Sequence, residues 1–239
     1  MVKAALNGNR SRQEHAAVPL TPGDLACEAS LAVAAGAGAL HVHPRDDEGR
    51  ESVVPSDVTA AVSAIRTACP GVPVGVSTGA WIEPNVDQRL RFISDWSEID
   101  FASVNFDEPG AEDVARLLLR RGIEVEAGLA SPAAAAQFVA FGRARDCLRV
   151  LIEPSNPAPE DAETTVRGVE TTLDKHGIGL PRLLHGADDT AWPMIELAGA
   201  RGYDTRVGFE DTFVLPDGSL ASSNAKLVAT AVRCVASFL

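Results

Sequence analysis

Aromatic side chains are scarce in this chain. Phenylalanine, tryptophan and tyrosine make up 5% of its 239 residues, with a single tyrosine, so a core must be built from alanine, valine, leucine and isoleucine. Positive charge is short too: 21 Lys+Arg against 33 Asp+Glu leave a formal charge of −12 and a pI near 4.8. That balance gives no electrostatic footprint for nucleic acid or an anionic membrane surface, and neither is expected as a partner. Long apolar runs are missing. The Ala-rich stretch from Leu31 to Leu40 is broken by Gly36 and Gly38, far short of the roughly 20 residues of a membrane span. Cys27, Cys69, Cys147 and Cys234 show no CxxC pairing, which argues against a disulfide framework or a zinc–thiolate site and fits reduced thiols in the cytoplasm. The start, Met1-Val2-Lys3-Ala4, lacks the basic and apolar regions of a signal peptide, so none is expected. No GxGxxG follows the first apolar run and no GxxxxGK[ST] occurs anywhere, which speaks against a doubly wound nucleotide-binding sheet.

What remains is ordinary globular composition, 46% hydrophobic and 23% charged, arranged in a regular alternation. Short apolar runs predict strands at Val2–Leu6, Gly38–His43, Val72–Ser77, Asp100–Asn105, Gly122–Ala127, Leu148–Glu153, Pro181–His185 and Tyr203–Glu210. Segments of helical period lie between them. Thr21-Pro22 pairs a capping hydroxyl with a proline at the first helical position, and Gly36 stands where a helix ends. Val58, Ala61, Val62 and Ile65 recur at helical spacing before Pro70, and Ala221–Phe238 predicts the last helix. Eight strand-then-helix units in a chain of this length predict an α/β fold of the (β/α)₈ barrel type, one domain over residues 1–239.

In such a barrel the chemistry sits at the C-terminal ends of the strands. Those ends read Asn7, His41 and His43, Ser77, Asn105, Glu126, Glu153, His185, then Glu210 with Asp211. Strands that only build a core run apolar into their turns. In Leu40-His41-Val42-His43 the two imidazoles share one strand face and the apolar pair the other. Two convergent imidazoles and one carboxylate form a catalytic zinc set with an open position, and Glu210 is the best third ligand. The competing reading is a pair of hydrogen-bonded interior histidines. Arg45 and Asp46 orient the ligands or form a solvated turn ending at Gly49; for Asp47 the turn is the better reading. Arg206 either tunes Asp211 as a base or closes the barrel in a structural ion pair. Gly75-Val76-Ser77-Thr78-Gly79 matches the GxSxG of serine hydrolases, but Pro84 leaves no room for the helix that motif needs. His15 and His176 read as surface residues, and His185 as a candidate for the pocket lining.

As a set, His41-Val42-His43-Pro44-Arg45-Asp46, Ser77-Thr78-Gly79, Ala102-Ser103-Val104-Asn105, Glu124-Val125-Glu126, Arg206-Val207-Gly208-Phe209-Glu210-Asp211 and Ser223-Asn224-Ala225-Lys226-Leu227-Val228 resemble the β-keto acid cleavage enzymes, in family order along nearly the whole chain. The resemblance implies a zinc-dependent barrel, one Zn²⁺ per chain, exchanging acyl groups between a β-keto acid and acetyl-CoA to give acetoacetate and a new acyl-CoA. It implies His41, His43 and Glu210 as zinc ligands, Ser77 and Ser103 as substrate contacts, and Glu126 as a support of the hydrogen-bond network. Asp211, assisted by Arg206, would abstract the C2 proton, and a homo-oligomer, dimer or tetramer, would be the assembly. Asn7, Asn105 and Arg10 complete the expected substrate contacts. The chain ends soon after its last helix, without the family's C-terminal extension. Where the type member meets a substrate ammonium with an acid, this chain has Arg10, with Glu14 nearby, so a keto acid with a neutral or anionic tail is expected. Two other readings are a metal-dependent hydrolase of amidohydrolase type and a non-catalytic barrel that binds a small acid.

Overall fold

The structure is a computed structural model that describes residues 1–156 and 158–238. Eight parallel strands close into a barrel in chain order: β1 Val2–Ala5, β2 Ala39–Val42, β3 Val74–Ser77, β4 Phe101–Asn105, β5 Glu124–Leu129, β6 Arg149–Ile152, β7 Arg182–Leu184 and β8 Asp204–Val207. Helices follow them: α1 Pro22–Ala34, α2 Pro55–Ala68, α3 Val86–Ser94, α4 Ala111–Arg121, α5 Pro132–Ala140, α6 Pro159–Lys175, α7 Ala191–Arg201 and α8 Asn224–Ala236. This is the (β/α)₈ barrel that the alternation predicts. No described helix is long and apolar enough to cross a membrane.

Local chemistry sets the helix ends. Thr21 caps α1 in a reciprocal box with Asp24, and Pro22 occupies the first turn. Helix α8 begins at Asn224, three residues later than periodicity predicts, because the Ser223 hydroxyl accepts the Lys226 N–H and fixes the start there. Gly122 and Gly202 close α4 and α7 in the left-handed conformation.

Strand alternation then divides the molecule into two interiors. Ala4, Leu40, Val42, Val74, Val76, Ala102, Val104, Val125, Val150, Ile152 and Val207 face the helices and join one apolar core. That layer holds the barrel to its helices, at roughly 1.5–3 kcal/mol per buried large apolar side chain. The opposite faces carry Lys3, His41, Ser103, Glu126, Arg149 and Arg206, all buried. The apolar layers that usually fill a barrel of this kind are here replaced in part by charge.

Lys3 on β1 reaches across to Glu126 on β5, which also accepts from Arg149 Nε at 2.7 Å. The Phe101 ring lies against both cations, at 5.6 and 5.5 Å. Burial opposes ionisation of Glu126, but Lys3 and Arg149 outweigh it and hold the carboxyl down at about 2. Burial pushes Lys3 down to about 8 against the pull of Glu126. Strand β5 runs two residues beyond the predicted Ala127, so Glu126 stands mid-strand, one layer below the mouth.

Candidate metal centre and active site

His41 and His43 follow one another on the inner face of β2 and its exit, and both are buried. Their Nε2 atoms face each other at 3.1 Å. Glu210 closes the group from the turn after β8. That turn is tight because Gly208 passes directly over β1: a Cβ there would stand 1.9 Å from the Ala5 carbonyl oxygen. The Glu210 carboxylate lies 3.6 Å from His41 Nε2 and 3.5 Å from His43 Nε2. One donor atom from each of the three lies within 4.8 Å of the others.

Glu210 Oε2 is buried and has no hydrogen-bond partner among the described residues, and neither does His41 Nδ1. A buried carboxylate oxygen without a donor is costly unless something completes it. Two imidazole nitrogens and this carboxylate are a donor set suited to Zn²⁺, so the residues fit a metal ion. Burial, unopposed by enough negative charge, pushes His41 well below its usual range. For His43 the Glu210 and Glu51 carboxylates outweigh burial and raise it to about 9. Arg206 and the two histidines outweigh burial at Glu210 and hold it well below the carboxylate range.

Glu51 was not legible as a site residue in the sequence. Its Oε1 lies 2.5 Å from His43 Nδ1, and both its oxygens accept the Trp81 indole N–H, at 3.2 and 3.1 Å. Asp46 to Arg50 form a turn in which Asp46 accepts from Arg50 N and Nε, and the chain folds back so that Glu51 pairs with Arg45. Asp46 and Asp47 therefore belong to a turn, and the chain that leaves it brings the Glu51 carboxylate to the second histidine.

On the other side, Arg206 donates from NH2 to Glu210 Oε1 at 2.7 Å and to Asp211 Oδ1 at 2.6 Å, and from Nε to the same Asp211 oxygen at 3.2 Å. Asp211 Oδ2 is buried and receives no hydrogen bond from the described residues. Arg206 thus uses one oxygen of Asp211 and leaves the other free. Its own charge is fixed, since Asp211 and Glu210 outweigh burial and raise it.

The remaining expected residues divide into two groups. Ser77 ends β3 and accepts Gly79 N–H at 3.2 Å, Ser103 lies on the inner face of β4, and Asn105 ends β4, donating to Glu108 at 2.7 Å. All three stand on the barrel side of neighbouring strands. Asn7 is different: it is fully buried, its amide donates to the His43 and Pro19 carbonyls, and its oxygen accepts His43 N–H. With donors and acceptor engaged, it braces the strand that carries the histidines.

Arg10 lies over the turn, donating to the Glu210 carbonyl at 3.3 Å and to Asp188 at 2.6 Å, with Glu14 at 3.4 Å and the Phe213 ring beneath. Asp188 adopts a left-handed conformation, φ +48°. A cleft of about 610 Å³ lined by Asp188, Trp192, Thr212 and Phe213 opens beside this pair. No helix follows Ser77 until Val86, so the GxSxG segment lacks the strand–turn–helix of a hydrolase elbow. His176 is exposed, whereas His15 is half-buried against Phe209 and Phe213.

Comparison with known proteins adds relatives to this geometry. The family described as beta-keto acid cleavage enzyme matches residues 1–238. The chain is 28% identical over 262 residues to the 3-keto-5-aminohexanoate cleavage enzyme of Fusobacterium nucleatum, covering 98% of this chain and 90% of that protein. It is 27% identical over 251 residues to the 3-oxoadipate:acetyl-CoA acetyltransferase of Cupriavidus necator, covering 95% and 85%. Among solved structures, ObcA in a binary complex with oxaloacetate superposes with a TM-score of 0.72 at 16% identity. That match covers 90% of this chain, which spans 63% of the ObcA chain, and it bears on the fold alone.

Proposed function

The chain belongs to the beta-keto acid cleavage enzyme family, and on that premise we propose that it exchanges acyl groups between a β-keto acid and acetyl-CoA, giving acetoacetate and a new acyl-CoA. The observation that carries this reading is the pairing of a His41–His43–Glu210 donor set with a buried, half-free carboxylate at Asp211. The Cupriavidus relative, named for acetyl transfer from acetyl-CoA, supports the co-substrate.

His41, His43 and Glu210 would hold one Zn²⁺ per chain, which when bound supplies Lewis-acid stabilisation of the oxyanions this chemistry generates. The chain's own groups do the rest. Asp211 takes the C2 proton of the keto acid on its free Oδ2: the C–H bond breaks, its electron pair stays as the enolate, and an O–H bond forms. Arg206 holds Asp211 in place through Oδ1 and ties it to Glu210. Glu51 fixes the His43 tautomer by accepting from Nδ1, so that Nε2 is free to ligate. Ser77, Ser103 and Asn105 line the substrate side. Glu126 does not meet the substrate; with Lys3 and Arg149 it forms the charged floor under His41.

Arg10 is proposed to meet the substrate tail and to favour a neutral or anionic one. An anionic tail would have to share Arg10 with Asp188 and Glu14, which tempers the preference. The enzyme is further taken to be cytoplasmic and a homo-oligomer, dimer or tetramer, which size-exclusion chromatography with light scattering checks.

The reaction is tested with acetyl-CoA labelled with ¹³C at the carbonyl. In the proposed exchange the label appears at C3 of acetoacetate and the new acyl-CoA is unlabelled. A hydrolase of amidohydrolase type would release no acyl-CoA, and a non-catalytic barrel would release no product.

A further inference from the structure

His185 belongs to neither the metal-ligand set nor the base, yet it is buried between two carboxylates. It follows β7, with Nδ1 3.4 Å from Asp211 Oδ1 and 3.3 Å from the Gly186 carbonyl oxygen, and Nε2 3.4 Å from Glu153 Oε2. Glu153 follows β6 and lies in space that only a glycine leaves open. A Cβ at Gly128 would stand 2.3 Å from Glu153 Oε1 and 2.4 Å from Asn105 Oδ1. The ends of β6, β7 and β8 therefore meet in one string of polar groups leading to Asp211, with Asn105 of β4 on the far side of Gly128.

We propose that His185 is a positioning residue for proton abstraction: its imidazole bridges Asp211 and Glu153, pins Asp211 through Oδ1, and leaves Oδ2 as the oxygen that accepts the proton. The inference rests on Asp211 being the base, as proposed above. The geometry of Asp211 supports it. Arg206 already donates twice to Oδ1, but from one side and from a side chain that also serves Glu210. Two donors from one guanidinium to one oxygen leave the carboxylate free to pivot about that oxygen. The His185 Nδ1–H just beyond β7, shared between Asp211 Oδ1 at 3.4 Å and the Gly186 carbonyl at 3.3 Å, adds a second hold on Oδ1 from another direction and limits that freedom. Asp211 and Glu153 outweigh burial and the nearby Arg206, raising His185 above its usual range, which suits an imidazole donating from both nitrogens. Misplacing a reacting group by about 1 Å costs on the order of 100-fold in rate, so a brace of this kind carries a measurable effect.

Two substitutions separate the imidazole's nitrogens. In His185→Asn the amide takes the place of Nδ1 and keeps the donor to Asp211; in His185→Gln it takes the place of Nε2 and keeps only the contact to Glu153. His185→Phe removes both. The probe is acetoacetate, the keto acid the proposed reaction releases whatever tail the substrate carries, and the readout is enzyme-catalysed exchange of its C2 hydrogens with D₂O by NMR, at matched metal content. We expect exchange to fall about 100-fold in His185→Phe and His185→Gln with acetoacetate KM changed less than about threefold, and His185→Asn to stay within about fivefold of the unmodified enzyme. The inference is overturned if His185→Gln exchanges as fast as the unmodified enzyme, or if His185→Asn falls as far as His185→Gln. Asp211→Asn, measured alongside, separates the two levels. If it exchanges normally, the base assignment fails, whereas its inactivity beside a fully active His185→Gln removes only the role given to His185. Should His185→Phe not fold, the Asn and Gln pair decides the matter.

Discussion

The Glu51 carboxylate stands 2.5 Å from Nδ1 of His43 while Nε2 of the same ring faces Glu210 and His41. One imidazole is thus gripped from behind by an acid and presented forward to the donor set. Carboxylate–histidine pairs of this type typically change metal affinity by 10–100-fold when the acid is removed. Glu51→Gln is therefore expected to weaken zinc binding by about that factor while the fold is kept. Competition against a chromophoric chelator measures it, and an unchanged affinity would make Glu51 a partner of Trp81 alone.

Asp211→Asn keeps the shape of the side chain and its bond to Arg206 but removes the base. Turnover should fall by at least about 100-fold while the zinc content stays at the unmodified level. A variant that keeps most of its acyl-exchange rate would make Asp211 structural.

How much of this was legible in the sequence depended on period. Alternation along β2 fixes which way His41 and His43 point, because a strand has only two faces, and the run of polar strand ends marks the mouth. Glu51 has no such mark. It reaches His43 only because the Asp46–Arg50 turn folds the chain back, and a turn confers no periodicity on the residue after it. Asn7 ends a strand like its neighbours, yet its amide is consumed by the backbone of His43 and Pro19. Asp188 meets Arg10 across 178 positions of sequence, a contact that closure of the barrel alone creates.

The charged floor makes a prediction about stability. Glu126→Gln leaves Lys3 and Arg149 buried without their counter-charge, and should cost about 3–5 kcal/mol in chemical denaturation. The sign with pH follows from the depressed carboxyl, about 2 in the fold against an ordinary 4.5. Its contribution is present in full above pH 4.5 and is lost as pH falls toward 2. The unmodified protein should lose stability across that window, and Glu126→Gln should flatten the profile there. Equal slopes for the two proteins would contradict the burial of this ion pair.

Arg10 predicts the order of substrates. A charge-matched contact in a partly buried place is worth roughly 1.5–3 kcal/mol, and sharing Arg10 with Asp188 argues for the lower end, about one decade in kcat/KM. 3-Oxoadipate and an uncharged keto acid of equal length should exceed 3-keto-5-aminohexanoate by that factor, and Arg10→Glu should reverse the order. A ranking untouched by Arg10→Glu would point to Glu14 or Asp188 as the residue that meets the tail.

Zinc-dependent acyl exchange is tested most directly by following acetyl-CoA and a panel of β-keto acids by mass spectrometry with metal-loaded and chelated enzyme. Acetoacetate and a new acyl-CoA are expected in equal amounts with at least one keto acid, with loss of both after chelation and recovery on adding about one equivalent of zinc per chain. Keto acid consumption without a new acyl-CoA, or full turnover by metal-free enzyme, would contradict it.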